Sequence, residues 1–398
     1  MHSNNPQIYK DKENRLSFAC LFLCMMMFLI LGVLPKIPSP VTRILRPLFI
    51  TLSALSFPKC RYYPLGSLKY HIVNLLYYTV IFLWFPFSSI SIEAYISAML
   101  FILFLVFAAS RKWTRKEIEL IIIVIVIACD VQAVLTLISN SNLLHSNGSS
   151  HLSFLGTQVN RNPVAFAIVP GTLCGAFAFL YSNGTKGNVN KAFFLLSIVL
   201  CFFVVFAIGC RSAFFSSAVG IVCIAWQKAR DGATPKEKVR RKAFVILLLI
   251  IATIGAMYAA KGTYSSRLFE FGAEANSSGR DQLYEEAWRL IDEKPIFGGG
   301  FDYWESNGNT MGTHNTFLTF MVSTGWVGGI LLGLFLLAVL NEIIKTRNLV
   351  PISFMIEVFL HSWTEPGMDY YAYIPLLLSI VLTRYLRYEN SNIGSIFR

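Results

Sequence analysis

Long apolar runs broken by short polar connectors make up most of the chain. A helix that crosses a bilayer needs roughly 20 apolar residues, somewhat fewer where other helices shield it. On that measure the pattern predicts about twelve spans. They fall near residues 16–34, 41–57, 70–87, 89–109, 118–138, 163–182, 191–209, 211–227, 243–260, 315–340, 350–364 and 371–387. The second carries Arg43 and Arg46, and the eleventh is short and holds Glu357 and His361, so these two depart furthest from an ideal span. One polar interval is long. Residues 261–314, between the ninth and tenth predicted spans, carry charges, glycines and aromatics at a density their neighbours lack, which puts them in water at one mouth of a helical bundle. No internal repeat, low-complexity tract or soluble domain interrupts this layout. The expectation is an all-α polytopic membrane protein with residues 1–398 as one helical domain and 261–314 as an active loop within it.

Composition agrees, with 55% hydrophobic residues, 14% charged residues and a mean hydropathy of +0.56, all outside the range of a soluble globule. The net charge of +12 would raise nucleic acid as a partner if the cations formed one patch. They do not. Lys59, Arg61 and Lys69, then Arg111, Lys112, Arg115 and Lys116, then Lys186 and Lys191, the run Lys228–Lys242, Lys345 with Arg347, and Arg384 with Arg387 all fall in connectors on one side of the spans. By the positive-inside rule that side is cytoplasmic and holds both termini, and loops 139–162 and 261–314 face outward, toward the periplasm if the membrane is a bacterial inner membrane. No nucleic-acid partner is expected. The most basic stretch, Gln227–Lys242, reads as a topology anchor that touches anionic lipid heads.

The first run follows Lys10, Lys12 and Arg15 but is long and leads into Pro35-Lys36-Ile37-Pro38 instead of a small-residue cleavage site, so it reads as an uncleaved span. Seven of eight cysteines lie in or beside apolar runs and Cys60 in a basic loop; no CxxC pair or Cys/His spacing supports a disulfide framework or a metal site.

Outward positive charges are few, so each is informative. Arg211, in FAIGCRSAFFSSAVG, stands between two apolar runs with almost no loop. A guanidinium there either faces a wet cavity or a partner, or snorkels from a helix end. The long loop adds Arg267, Arg280, Arg289 and Lys294. Leu283, Ala287, Leu290 and Ile291 recur at helical spacing, with Ser277 or Ser278 as cap, which places Arg280 in a first turn where backbone N–H groups and the helix dipole favour an anion such as a diphosphate. Arg289 serves the same anion or pairs with Glu285 or Glu286. Gly298-Gly299-Gly300 ends that helix and permits a close backbone approach to a ligand, without the spacing of a P-loop. His314, in MGTHNTFLTF, offers a neutral imidazole that can accept a proton from a hydroxyl, or a structural hydrogen bond beside Asn315. Glu365 and Asp369, in HSWTEPGMDYY, are a second candidate base or a sugar-binding pair, and otherwise an ordinary solvated turn. Asp130 lies within a span with its role open.

Taken together, GRDQLYEEAW and RLIDEKPIFGGG followed by THNTFLTFMVSTGWVGGILLGLFLL resemble the C-terminal signature of the O-antigen ligase/polymerase family, over about Arg280 to Leu337. CRSAFF resembles that family's arginine at the outer end of a middle span, and LGTQVNRNPVAFAIVPG resembles its asparagine- and proline-containing start of an earlier span. The resemblance implies a fold like the GT-C membrane glycosyltransferases and a metal-independent, cofactor-free enzyme that joins lipid-linked glycans. It implies that Arg211 and Arg280 hold the diphosphate of an undecaprenyl-linked donor and that His314 activates the acceptor hydroxyl. Arg161 departs from the family pattern, and no role is carried onto it. The acceptor is another lipid-linked repeat in a polymerase or lipid A–core in a ligase, with membrane lipids and a chain-length regulator protein as further partners. The shorter interval from Arg280 to His314 leans toward the polymerase. A transporter would instead call for paired charges and broken helices in two corresponding halves, and no such symmetry is found in the sequence.

Overall fold

In the computed structural model, residues 110–140, 151–154, 157–182, 187–231, 234–240, 264–269, 280–300, 302–309, 311–365 and 370–388 are described, with single residues elsewhere. The four spans predicted before residue 110, and most of the ninth, lie outside the described residues.

Each predicted span inside them is a helix. In chain order come α1 (Arg115–Ser139), the strands β1 (His151–Phe154) and β2 (Thr157–Asn160), α2 (Arg161–Tyr181), α3 (Gly187–Ile208) and α4 (Arg211–Arg230). After a 3-10 turn at Tyr264–Phe269 follow α5 (Arg280–Glu293), the short α6 (Tyr303–Ser306), α7 (Thr316–Lys345), α8 (Leu349–Thr364) and α9 (Tyr370–Tyr388). Among the described residues, five helices, α1 to α4 and α7, are long and apolar enough to cross a membrane, and α8 is a shorter apolar helix. The chain is mostly helical, as expected of a polytopic membrane protein.

The all-α expectation needs one correction. Connector 139–162 holds an antiparallel hairpin in which Leu152 pairs with Val159 and Ser153 with Gln158. Alternation explains it, because Leu152 is buried while its neighbour His151 is exposed, the period of a half-buried strand. Asn140, the residue that ends α1, fastens β1 by donating to the Ser153 carbonyl at 2.7 Å and accepting from the Ser153 amide at 2.9 Å.

The centre of the bundle is α2. Its span is 89% buried against 33–44% for the other four, and it packs against α1, α3, α4 and α8. Small residues make this possible, since lipid tails compete equally for apolar surface and only close backbone approach favours helix over lipid. A Cβ at Gly171 would stand 2.3 Å from the Cys129 Cβ, and one at Gly175 would stand 3.1 Å from Ile198. Cys129, Cys174 and Cys201 are buried free thiols of this seam. Asp130 has partners there, accepting from the Ser197 hydroxyl at 2.6 Å and from the Cys201 thiol at 3.3 Å.

The basic connectors gather at one end of the described helices. Thr114 and Glu117 form a capping box that starts α1, with Arg111 on the same glutamate at 2.6 Å. Arg115 donates to the Ile396 carbonyl at 3.0 Å, Tyr181 donates to Asp231 at 2.8 Å, Gln227 accepts from the Leu349 amide at 3.2 Å, and Arg387 and Lys345 pair with Glu342.

At the opposite end the polar interval builds its own small core. Ala287, Leu290 and Ile291 of α5 close with Trp304 onto Leu318, Met321 and Val322 of α7. This contact depends on a break in α7, where Gly325 adopts φ 64° and ψ −167°, a conformation open essentially to glycine alone. The backbone groups freed by the break find partners in the loop. Gly299 and Gly300 donate to the carbonyls of Val322 and Ser323 at 3.1 and 2.9 Å, and Trp326 and Val327 donate to those of Pro295 and Ile296 at 2.8 and 3.2 Å. The glycine run therefore serves a different purpose from the one its sequence suggested: it approaches the backbone of α7. A Cβ on Gly298 would stand 2.4 Å from the Ser323 carbonyl carbon, and one on Gly325 would stand 2.4 Å from that of Ile296.

Candidate active site at one mouth of the bundle

The end that carries the polar interval is formed by the starts of α2, α4 and α7, the end of α8, and α5. Each is positioned by a local rule. Asn160 caps α2 by accepting from the Asn162 amide at 3.0 Å. Gly209, with φ 74°, ends α3, and its amide donates to the Phe206 carbonyl at 3.0 Å, so α4 starts two residues later at Arg211. Arg161 is buried and donates to the Ile208 carbonyl at 3.1 Å, where the negative end of α3 favours a cation. That contact gives Arg161 a structural role. Asn315 caps α7 by accepting from the amides of Phe317 and Leu318 at 2.9 and 3.1 Å.

His314 lies between Thr313 and Asn315, whose side chains are both committed to the start of α7. Its φ is +52°, left-handed backbone that costs a non-glycine residue about 1–2 kcal/mol. The imidazole is 21% exposed, and its Nδ1 lies 3.7 Å from the Oε2 of Glu365, which is only 3% exposed. Solvent can reach the imidazole but hardly the carboxylate behind it. Glu365 is in turn held firmly: its Oε1 accepts from Asn162 Nδ2 at 2.6 Å, and its carbonyl accepts from the Thr316 hydroxyl at 2.9 Å. Three distant segments thus meet as Asn162, Glu365 and His314. Glu365 is no solvated turn.

Arg280 opens α5, in the first turn as expected; residues 277–279, which hold the proposed cap, lie outside the described residues. Cys210, the residue before Arg211, is a buried thiol at this mouth. Burial pushes the Cys210 thiol up to about 11; the Ala213 amide pulls it down, the Glu365 carboxylate pushes it up, and the Ser212 hydroxyl and the Arg280 guanidinium pull it down. Arg289 is placed differently. It lies on the exposed face of α5, forked onto Glu286 at 2.8 and 2.6 Å and paired with Glu293, the ion-pairing alternative that its spacing offered. Hydrogen bonding from Arg289 holds Glu286 below the usual carboxylate range. Lys294 stands over the Tyr303 ring at 4.4 Å. Asp369 lies outside the described residues, and the side chain of Arg267 is not described.

Sequence reading passed over Asn162, which stands 203 residues from its partner Glu365. Nothing in local spacing signals such a pair. Two more ionisable residues stand below Glu365 on α8, at turn spacing: Glu357 and His361, both fully buried, with the His361 ring edge-on to Phe166 at 4.7 Å. Among the described residues, no three His, Cys, Asp or Glu side chains are grouped to hold a metal ion.

Comparison with known proteins adds a family. Residues 196–333 match the family described as O-antigen ligase. The matched segment contains Arg211, Arg280, Arg289 and His314, while Asn162 and Glu365 fall outside it. Among curated proteins, none matches the chain. Among solved structures, a chain from a structure described as "Structural coordination of polymerization and crosslinking by a peptidoglycan synthase complex" is similar at 12% identity and a TM-score of 0.46, over 81% of this chain and 97% of that one. That likeness is too distant to bear on fold or function. The family match bears out, over residues 196–333, the resemblance read from the sequence to the O-antigen ligase/polymerase family, and the apolar helices mark the chain as a membrane protein.

Proposed function

We propose that the protein is an inverting, metal-independent glycosyltransferase that polymerises undecaprenyl-diphosphate-linked polysaccharide repeats at the periplasmic face of a bacterial inner membrane. The observation that carries this reading is the approach of His314 to the buried Glu365 at 3.7 Å, at the mouth where α4 begins with Arg211 and α5 with Arg280. His314 takes the proton of the acceptor hydroxyl, whose oxygen attacks the anomeric carbon as the bond from that carbon to the diphosphate oxygen breaks. The diphosphate leaves with the bonding pair, its charge held by the planar forks of Arg211 and Arg280, and the proton passes from His314 to water. Attack opposite the leaving group inverts the anomeric centre. Glu365, held by Asn162, faces Nδ1, which favours the tautomer that leaves Nε2 free to act as base. Arg289 is the outlying member of the donor set, available only when it leaves Glu286 and Glu293.

The same reading includes a GT-C-like bundle of about twelve spans, both termini in the cytoplasm, a catalytic loop 261–314 on the periplasmic side, and a chain-length regulator protein as partner. A ligase that transfers the glycan to lipid A–core is the second reading, favoured by the description of the matching family. Purified protein supplied with an undecaprenyl-diphosphate-linked repeat tests both. Longer lipid-linked chains without another acceptor support the polymerase, and product only upon addition of lipid A–core supports the ligase. No transfer under either condition sinks both.

A further inference from the structure

The break in α7 marks a height as well as a docking point. From Trp326 to Lys345 the helix has about 20 residues, or about 30 Å, which matches the hydrocarbon thickness of a bilayer. Lys345, paired with Glu342, stands at the basic end of this length and Trp326 at the mouth end. The 16 residues of α8 cover about 24 Å. Because α8 also reaches the mouth, where Glu365 meets Thr316 at 2.9 Å, residues Thr316–Thr324 cannot simply extend the span. They turn off its line at Gly325.

Four large apolar side chains lie exposed around this point: Trp288 at 44%, Ile296 at 61%, Phe297 at 50% and Trp326 at 47%. They form one patch. The Trp288 and Trp326 rings lie 6.1 Å apart, and the amides of Trp326 and Val327 are bonded to the carbonyls of Pro295 and Ile296. The patch continues along α7 as Ile330, Leu334 and Leu337, all exposed at helical spacing on the apolar span. A soluble surface would not leave such a patch bare, and tryptophans gather where hydrocarbon meets headgroups.

We propose that this patch is a lipid seat: Trp288, Ile296, Phe297 and Trp326 sit in the headgroup and upper acyl layer of the bilayer. The polar interval, expected from its composition to stand in water, is thereby half immersed on one side. The seat holds the mouth at the depth of lipid phosphates; that this serves a lipid-borne diphosphate at Arg280 rests on the function proposed above, whereas the seat itself does not. Continuity with the lipid-facing stripe of α7 selects lipid over a second copy of the chain.

Benzophenone photochemistry on the full chain tests the seat. p-Benzoyl-phenylalanine is incorporated in place of Phe297, and separately in place of Trp288, with the exposed Ser306 position as control, in vesicles of phosphatidylethanolamine and phosphatidylglycerol. Irradiation is expected to add the mass of one phospholipid to the peptides bearing positions 297 and 288, at least about tenfold more than at 306. Lipid adducts no more abundant than at 306, or cross-links into a second copy of the chain, overturn the proposal. No glycan enters the assay, so failure here is separate from failure of the proposed reaction.

Discussion

His314 holds a strained backbone, a reachable ring and a shielded carboxylate behind it, and these three features give it distinct experimental signatures. His314→Ala should lower glycan transfer about 10²–10⁴-fold, the usual worth of general-base help, while leaving donor binding in place. Donor binding and transfer are measured separately on purified protein; loss of binding instead would make the histidine a diphosphate ligand. Glu365→Gln keeps size and the bond to Asn162 while removing the charge. A charge-assisted contact is worth about 1.5–3 kcal/mol, so transfer should fall about 10–100-fold. Arg280→Lys should fail to restore what Arg280→Ala removes, because lysine keeps the charge but loses the fork. Equal, full activity of both variants would place the diphosphate elsewhere. Arg289→Ala should matter less, since its guanidinium is engaged by Glu286 and Glu293 on its own helix.

Two elements owe their geometry to single glycines. The broken α7 needs a conformation at Gly325 that costs other residues about 1–3 kcal/mol, and any Cβ there collides with the Ile296 backbone. Gly325→Ala should therefore undock Pro295–Gly300, lower the thermal midpoint of the purified protein and reduce transfer. An unchanged midpoint would mean that the loop is held by its small core alone. In α2, Gly171 faces the Cys129 Cβ, which cannot rotate away, so Gly171→Leu should force the α1 and α2 seam apart at a loss of about 1–3 kcal/mol or more. The same measurement checks it.

For the whole molecule the decisive question is which way the mouth faces. The basic residues at the opposite end, among them Arg111, Arg115, Arg230, Lys345 and Arg387, favour that end as cytoplasmic. A cysteine at Ser306 should accordingly be labelled by a membrane-impermeant maleimide from the periplasm of intact cells, judged against the unsubstituted chain, and one at Lys236 should not. Reversed labelling would remove the lipid-linked donor from reach and with it the proposed reaction.

Among the described residues the positions of the spans followed from the sequence, because hydrocarbon leaves the backbone no choice but helix and a run of apolar residues is a local property. The same holds for the start of α5 at Arg280, the abrupt turn before Arg211 and the boundary at His314, where polar residues end an apolar run. Local polarity could not say what each polar residue faces. Glu365 read equally as a candidate base and as a solvated turn until packing placed it beneath His314, and Asn162 lay in a motif noted only for its family likeness, since its partner is brought near only when α2 and α8 pack. The glycine triplet announced a close approach without naming the other party, which is the broken backbone of α7. Burial, partners and depth depend on which surfaces meet across hundreds of residues, and the tertiary structure alone decides them.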